Sequence, residues 1–251
     1  MYAWKCWRET RNRFYIALII VTVVAAGTVI TPMLRLHNGH WLLDRNEYAR
    51  QPVLMAHLMT QVFLGSLAGL WVAWGVLLGS TSVGSEWENG TAEYLLTRPR
   101  PRNWFTWVHW GVCAAELMVL VAAPSLLTAV ALTGLTGYWK HWVLLAAPPV
   151  VLLVALPILG LTVLMTAIRR SAQGGLLFTA GIVLGYLVLV DRIQNYWHIQ
   201  IPPLSTPLLK WLALFSSANQ ISFPYGALAR AVFLSLAFVI LAQKVLRRAE
   251  L

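Results

Sequence analysis

The sequence predicts an all-α membrane protein with six transmembrane helices, and three observations carry that prediction. Six apolar runs, Phe14–Pro32, Val53–Gly79, Trp104–Leu127, Trp142–Ile168, Ser171–Val190 and Gly226–Val245, are broken only by Glu116 in the third and by Arg230 near the start and Lys244 at the end of the sixth. Each is close to or longer than the roughly 20 residues a helix needs to cross a hydrocarbon core of about 30 Å. Composition agrees: of 251 residues, 59% are hydrophobic and 11% charged, against about a quarter charged in a water-soluble domain. The runs do not alternate apolar with polar positions, and backbone groups in hydrocarbon must bond within their own segment. They are therefore helices and not barrel strands.

The third observation is the sidedness of the basic residues. A net charge of +10 in a soluble chain points to nucleic acid. Here Lys5, Arg8, Arg11, Arg13, Arg98, Arg100, Arg102, Arg169, Arg170, Lys244, Arg247 and Arg248 fall on the side of the N-terminus. Only Arg35, Arg45, Arg50, Lys140, Arg192 and Lys210 fall on the other. Twelve against six follows the positive-inside rule with both termini cytoplasmic. The charge is topological, and no nucleic-acid partner follows from it. Cys6 lies on the reducing side and Cys113 inside the third helix, which excludes a structural disulfide between them. The apolar run after Lys5–Arg13 is about twice the usual length for a signal peptide, so it reads as a retained first helix.

In chain order, residues 2–13 read as a short helix on the inner membrane surface, with Trp4, Trp7 and Phe14 on one side and a Glu9–Arg13 pair at i,i+4; a plain positive anchor before the first helix gives the same topology. Met33–Pro52 is a short outer loop. The third run continues weakly to Tyr138 and turns back through Gly134, Gly137 and Lys140. Pro148, Pro149 and Pro157 predict a bend or break near the outer end of the fourth helix. Arg169-Arg170 make a tight inner turn into the fifth. Residues 191–225, rich in proline, read as an outer re-entrant or interfacial segment with a short helix over Pro207–Ser216.

The segment 85–102, between the second and third spans, differs from everything around it. Ser85-Glu86-Trp87-Glu88 has the form of a capping box. Gly90 permits a backbone turn, Thr91 caps a second short helix, and Glu93 sits in that helix's first turn. Tyr94, Leu95 and Leu96 form an apolar ridge, and Pro99 and Pro101 end the helix and return the chain to the bilayer. A polar, rigid segment without a catalytic set suits the docking of a soluble partner; an ordinary inner loop is the plainer alternative.

The order Glu86-x-Glu88-x-Gly90-Thr91-x-Glu93-x-Leu95-Leu96-x-x-Pro99-x-x-Arg102 resembles the signature after the second transmembrane helix of ABC-2 type permeases. The Trp4-x-x-Trp7-Arg8-Glu9 start, the six spans and the outer element between the last two are similar to that family as well. The resemblance covers the topology of the whole chain, but only this segment matches at the level of a motif. It implies an exporter fold with an N-terminal interfacial helix and a cytoplasmic coupling helix, in a bacterial inner membrane. Glu86, Glu88, Gly90, Thr91, Glu93, Tyr94, Leu95, Leu96, Pro99 and Arg102 are then the docking residues for an ABC ATPase subunit. One departure concerns the exit from the coupling helix, where Arg100-Pro101 replaces the usual apolar-Ser pair. The sequence has no Gly-Lys pair and hence no Walker loop, so ATP and Mg belong to a separate chain and this one carries no cofactor of its own. A second copy or a homologous permease is expected beside it.

Glu116 lies about halfway along the third span, where a charge is costly and usually functional. It reads either as part of a translocation path or as an acid that fixes helix packing. Arg230 can snorkel to the interface. His57 has no second ligand at i+3 or i+4 and His109 has only Cys113 at i+4, and a metal or haem between the two histidines is disfavoured. Gly65-x-x-x-Gly69, Gly75-x-x-x-Gly79 and Gly181-x-x-x-Gly185 permit close helix approach, with packing inside one subunit the favoured reading. Three classes of function stand side by side: a transport subunit, a non-transporting subunit that docks an ATPase, and an intramembrane enzyme. The last is weakest, for want of HExxH, GxSxG or paired intramembrane carboxylates.

Overall fold

The computed structural model describes residues 2–30, 34–37, 40–43, 70–81, 86, 90, 102–136, 147–197 and 225–248. These form six helices and one short hairpin: α1 (Tyr2–Ile30), β1 (Leu34–His37), β2 (His40–Leu43), α2 (Leu70–Ser80), α3 (Arg102–Thr136), α4 (Ala147–Arg169), α5 (Ala172–Trp197) and α6 (Tyr225–Arg248). Three stretches, Tyr2–Gly27, Trp104–Ala131 and Leu228–Arg247, are helical, long and apolar enough to cross a membrane. Leu70–Ser80, Val154–Arg169 and Ala172–Tyr186 are shorter apolar helices.

The N-terminus corrects one expectation. Residues 2–13 are not a separate surface helix; α1 runs unbroken through 29 residues. The reason is local, since no Gly or Pro precedes Gly27. Cys6, Thr10, Phe14, Ala17, Val21 and Ala25 are all buried, and their spacing of four, four, three, four and four makes one helical stripe. That stripe lies on α3. Trp4 is 66% exposed and parts from the expected ridge, while Trp7 and Phe14 meet edge to face at 5.3 Å. Glu9 pairs with Lys5 one turn back, at 3.5 Å, and not with Arg13 one turn ahead.

Leu34–His37 and His40–Leu43 pair antiparallel, with Leu34 opposite Leu43 and His37 opposite His40. This hairpin was not expected from the sequence, although Asn38-Gly39 between the strands is a strong short-range hairpin signal.

In α4 the prolines begin the helix and do not break it. Pro148 and Pro149 fall in its first turn, where a missing N–H removes no helical bond, and Pro157 lies within a continuous helix. Pro124 likewise sits inside α3, where Ser125 Oγ donates to Val121 O at 2.8 Å beside the bond that proline removes. The expected Arg169-Arg170 turn is present. Arg170 takes a left-handed φ of 50°, and Ser171 caps α5 by accepting from Gly174 N at 3.1 Å.

Two apolar clusters hold the bundle. Phe14 and Ala17 of α1, Leu78 of α2, Cys113, Leu117 and Leu120 of α3, and Leu152, Ala155 and Leu159 of α4 form the first. Val163, Leu164 and Ala167 of α4 with Ala242 of α6 form the second, against Trp110. Close approach is set by glycine. A Cβ on Gly79 would lie 2.7 Å from Thr162 Cβ, and one on Gly160 would lie 2.8 Å from Ser235 O. The Gly75/Gly79 pair thus packs within the chain, as the favoured reading had it. Gly65 and Gly69 lie outside the described residues, and among those described nothing comes within 4 Å of a Cβ on Gly181 or Gly185.

Buried hydroxyls share the interior with these apolar clusters, and large apolar side chains also cover the outside. Thr10, Ser125, Thr162, Thr166, Thr179 and Ser235 are fully buried, each hydroxyl donating to a carbonyl or carboxylate. Ile16, Ile19, Val23, Leu177, Leu184 and Phe233 face outward. Small and hydroxyl residues inside with large apolar ones outside are compatible with helices packed in lipid. Ser235 is the one hydroxyl of this set that bonds only across helices, donating to Leu156 O at 2.9 Å while accepting from Trp110 Nε1 at 3.3 Å. Ser235→Ala is expected to cost about 0.6–1.7 kcal/mol, read as a lower thermal midpoint in detergent, whereas Ser235→Thr keeps the hydroxyl but crowds Gly160.

Candidate functional site

The candidate site lies where the first turns of α1 meet Thr81, Glu86 and the start of α3. α2 ends in a turn at Thr81. The Leu78 carbonyl, one of those a helix terminus leaves without an intrahelical partner, accepts from Thr81 N at 3.3 Å, Thr81 Oγ1 at 2.7 Å and Cys113 Sγ at 3.4 Å. This anchors the chain just before the polar segment. Thr81 Oγ1 also lies 3.5 Å from His109 Nε2, a buried ring on α3.

Glu86, the first acid of the segment, is helical and buried at 5% exposure. Both its oxygens accept from Lys5 Nζ, at 2.8 and 3.0 Å. Lys5 in turn has Glu9 within 3.5 Å, so one partly exposed ammonium serves two carboxylates. Burying a carboxylate is tolerable only with such a partner. At the other end of the segment, Arg102 opens α3. Two and three residues later Trp104 and Phe105 pack on Tyr2, with ring centroids 5.5 and 4.8 Å from the Tyr2 ring. The first turn of α1 therefore grips both ends of the segment, by charge at Glu86 and by aromatic contact just past Arg102.

Between the two ends, Gly90 adopts φ +68°, the left-handed conformation for which glycine is suited, and is exposed. The turn expected at this position is present. Glu88, Thr91, Glu93, Tyr94, Leu95, Leu96 and Pro99 lie outside the described residues.

No family model, curated protein or solved structure matches this chain. What it does must be argued from its own residues.

One turn above Cys6, Thr10 Oγ1 donates to Glu116 Oε1 and also lies 3.1 Å from Cys6 O. Glu116 is buried, and its Oε2 has no hydrogen-bond partner among the described residues. The acid singled out in the third span thus faces the polar notch of the α1 stripe. Cys6 and Cys113 are both free and buried. His57 lies outside the described residues, and among those described no three His, Cys, Asp or Glu side chains converge as a metal site would require.

Lys5, Tyr2 and Thr10 were missed as site residues from sequence. A usable signal existed for the first, because topology alone put Lys5 and Glu86 on the same side. The arrangement is a set of tethers, and its strength is measurable. In a double-mutant cycle over Lys5→Met and Glu86→Gln, a coupling energy of about 1–3 kcal/mol is expected. A coupling near zero would mean that the pair behaves as an ordinary surface ion pair.

Proposed function

We propose that this chain is the membrane subunit of a two-component exporter of the ABC-2 permease type, driven by ATP hydrolysed on a separate cytoplasmic ATPase that docks on residues 85–102. The observation that carries this reading is the bracketing of that segment by α1, through Lys5–Glu86 on one side and Tyr2–Trp104–Phe105 on the other. A partner that moves the segment moves the feet of α1 and α3 together.

In this account, closure of the ATPase pair shifts the cleft that holds the Leu95-Leu96 ridge. The shift enters the bundle as a rigid-body displacement. Because α1 is one helix, motion at Lys5 reaches Ile30 over about 37 Å without a joint to absorb it. Six spans, both termini on the cytoplasmic side of a bacterial inner membrane, and a second permease chain to complete a path belong to the same reading. Purification of the full chain from its own cells in mild detergent tests it. An ATPase with a Gly-x-x-x-x-Gly-Lys-Ser/Thr loop is expected to co-purify; its reproducible absence would count against the reading.

A second reading has one observation in its favour. Glu116 is closed in against Thr10 of α1, which suits a packing role and, with it, a six-helix subunit that docks an ATPase without forming a path. Glu116→Gln separates the two. On the exporter reading with Glu116 on the path, transport changes while assembly does not; on the packing reading, assembly and thermal stability change together.

A further inference from the structure

The second cluster of charge lies at the ends of α4 and α6, on other elements than the site above. α4 and α6 run side by side, and the contact of Gly160 with Ser235 sets a register of 75 residues between them. That register brings Ala242 level with Ala167, which shares its apolar cluster, and Lys244 level with Arg169. Arg169, Arg170, Lys244 and Arg247 are all exposed at this end. Neither α4 nor α6 contains an acid, the one acid of α5, Asp191, lies near that helix's opposite end, and Glu250, two residues after Arg248 in the sequence, leaves the four cations in excess.

The patch is also built to hold its shape. Arg170 sits in a fixed left-handed turn, and Ser171 O accepts from Gly175 N at 2.9 Å. Gly175 lies so close to Thr166 that a Cβ there would be 2.8 Å from the Thr166 backbone nitrogen. The Arg169 guanidinium is held over the Phe178 ring at 4.6 Å. Around these cations the surface is apolar: Ile168, Leu177, Phe178, Ile240 and Leu241 are exposed beside or within three turns of them. A soluble anion gains nothing from such a rim. A molecule with an anionic head and hydrocarbon tails uses both halves of it.

We propose that the α4–α5 turn and the end of α6 form a binding site for an acidic phospholipid, with Arg169, Arg170, Lys244 and Arg247 on its phosphate and headgroup and the flanking apolar side chains along its acyl chains. The proposal rests on the reading that the bundle spans a membrane, and it is independent of ATPase docking. Basic pockets between helices on the cytoplasmic side recognise anionic headgroups in this way.

The test uses the full chain in nanodiscs of phosphatidylcholine with or without phosphatidylglycerol, read by native mass spectrometry for retained lipid and by thermal midpoint. Phosphatidylglycerol should be retained and should raise the midpoint. Each cation removed should weaken that preference by about fivefold, so that R169Q/R170Q/K244Q/R247Q loses it while R169K/R170K/K244R/R247K keeps most of it. Three results would overturn the proposal: an unchanged preference in the glutamine variant, no preference in the wild type, or the same stabilisation by glycerol 3-phosphate alone, which would mark a plain anion site. Should the chain fail to enter discs at all, the membrane reading fails and takes the proposal with it; entry without preference removes the proposal alone.

Discussion

Placing aspartate at both Leu95 and Leu96 is expected to abolish stimulated ATP hydrolysis by the partner ATPase in reconstituted membranes, a fall of tenfold or more. The two leucines are the adjacent large aliphatic residues of the polar segment, and they lie between the Gly90 turn and Pro99. Seating a carboxylate in an apolar cleft of a partner costs several kcal/mol when nothing neutralises it, and about 1.4 kcal/mol is already tenfold in an equilibrium constant. The variant keeps the contacts that fold the bundle's end, because Glu86, Lys5, Tyr2 and Phe105 are untouched. Its thermal midpoint should therefore stay near the wild-type value. Unchanged hydrolysis in a correctly inserted double variant would remove docking from this segment.

The largest effect on stability is expected at Gly175. A Cβ there would lie 2.2 Å from Thr166 Cγ2 and 2.7 Å from Thr166 Cα, and a backbone cannot give way as the tip of a flexible side chain can. Gly175→Val should destabilise by about 3 kcal/mol, the upper end of ordinary overpacking. It should also free the α4–α5 turn to splay. Gly181 supplies the contrast within the same helix. Among the described residues nothing lies within 4 Å of a Cβ at that position, so Gly181→Ala should be neutral or stabilise by up to about 1 kcal/mol through lost backbone entropy in the unfolded chain. Thermal midpoints of the two variants in one detergent check both. Equal losses would mean that the close approach of α5 to Thr166 is not a determinant of the packing.

Much of the architecture is legible in the residues, and the failures have physical causes. The apolar runs locate α3 and α6 to within a few residues at their starts, because long uninterrupted hydrophobicity leaves little choice of structure. The turn at Arg169-Arg170 and the turn at Gly90 are legible for a different reason: each is short and its chemistry is local. The break expected from the prolines of α4 is not found within Ala147–Arg169, because Pro148 and Pro149 occupy a first turn where the cost of a proline inside a helix disappears. The surface-helix reading of residues 2–13 misleads because it weighs the large aromatics. The small and polar stripe of Cys6, Thr10 and Ala17 decides which face packs on α3.

The site is less legible than the fold. Glu86 stands out in the sequence by its motif, yet its partner Lys5 is 81 residues away, and no local spacing links the two. The same holds for Thr10 and Glu116, 106 residues apart. Periodicity reports which face of a helix is turned inward. It does not report which residue of another helix waits there.

On the proposed function, residues 85–102 are the foot on which an ATPase stands. The most direct measurement places a photo-crosslinking amino acid at Tyr94 of the full chain in living cells and identifies the adduct by mass spectrometry. The account predicts one dominant adduct, with a polypeptide that carries a nucleotide-binding Gly-x-x-x-x-Gly-Lys-Ser/Thr loop. A well-inserted protein that yields no adduct, or one with a protein unable to bind ATP, would contradict it.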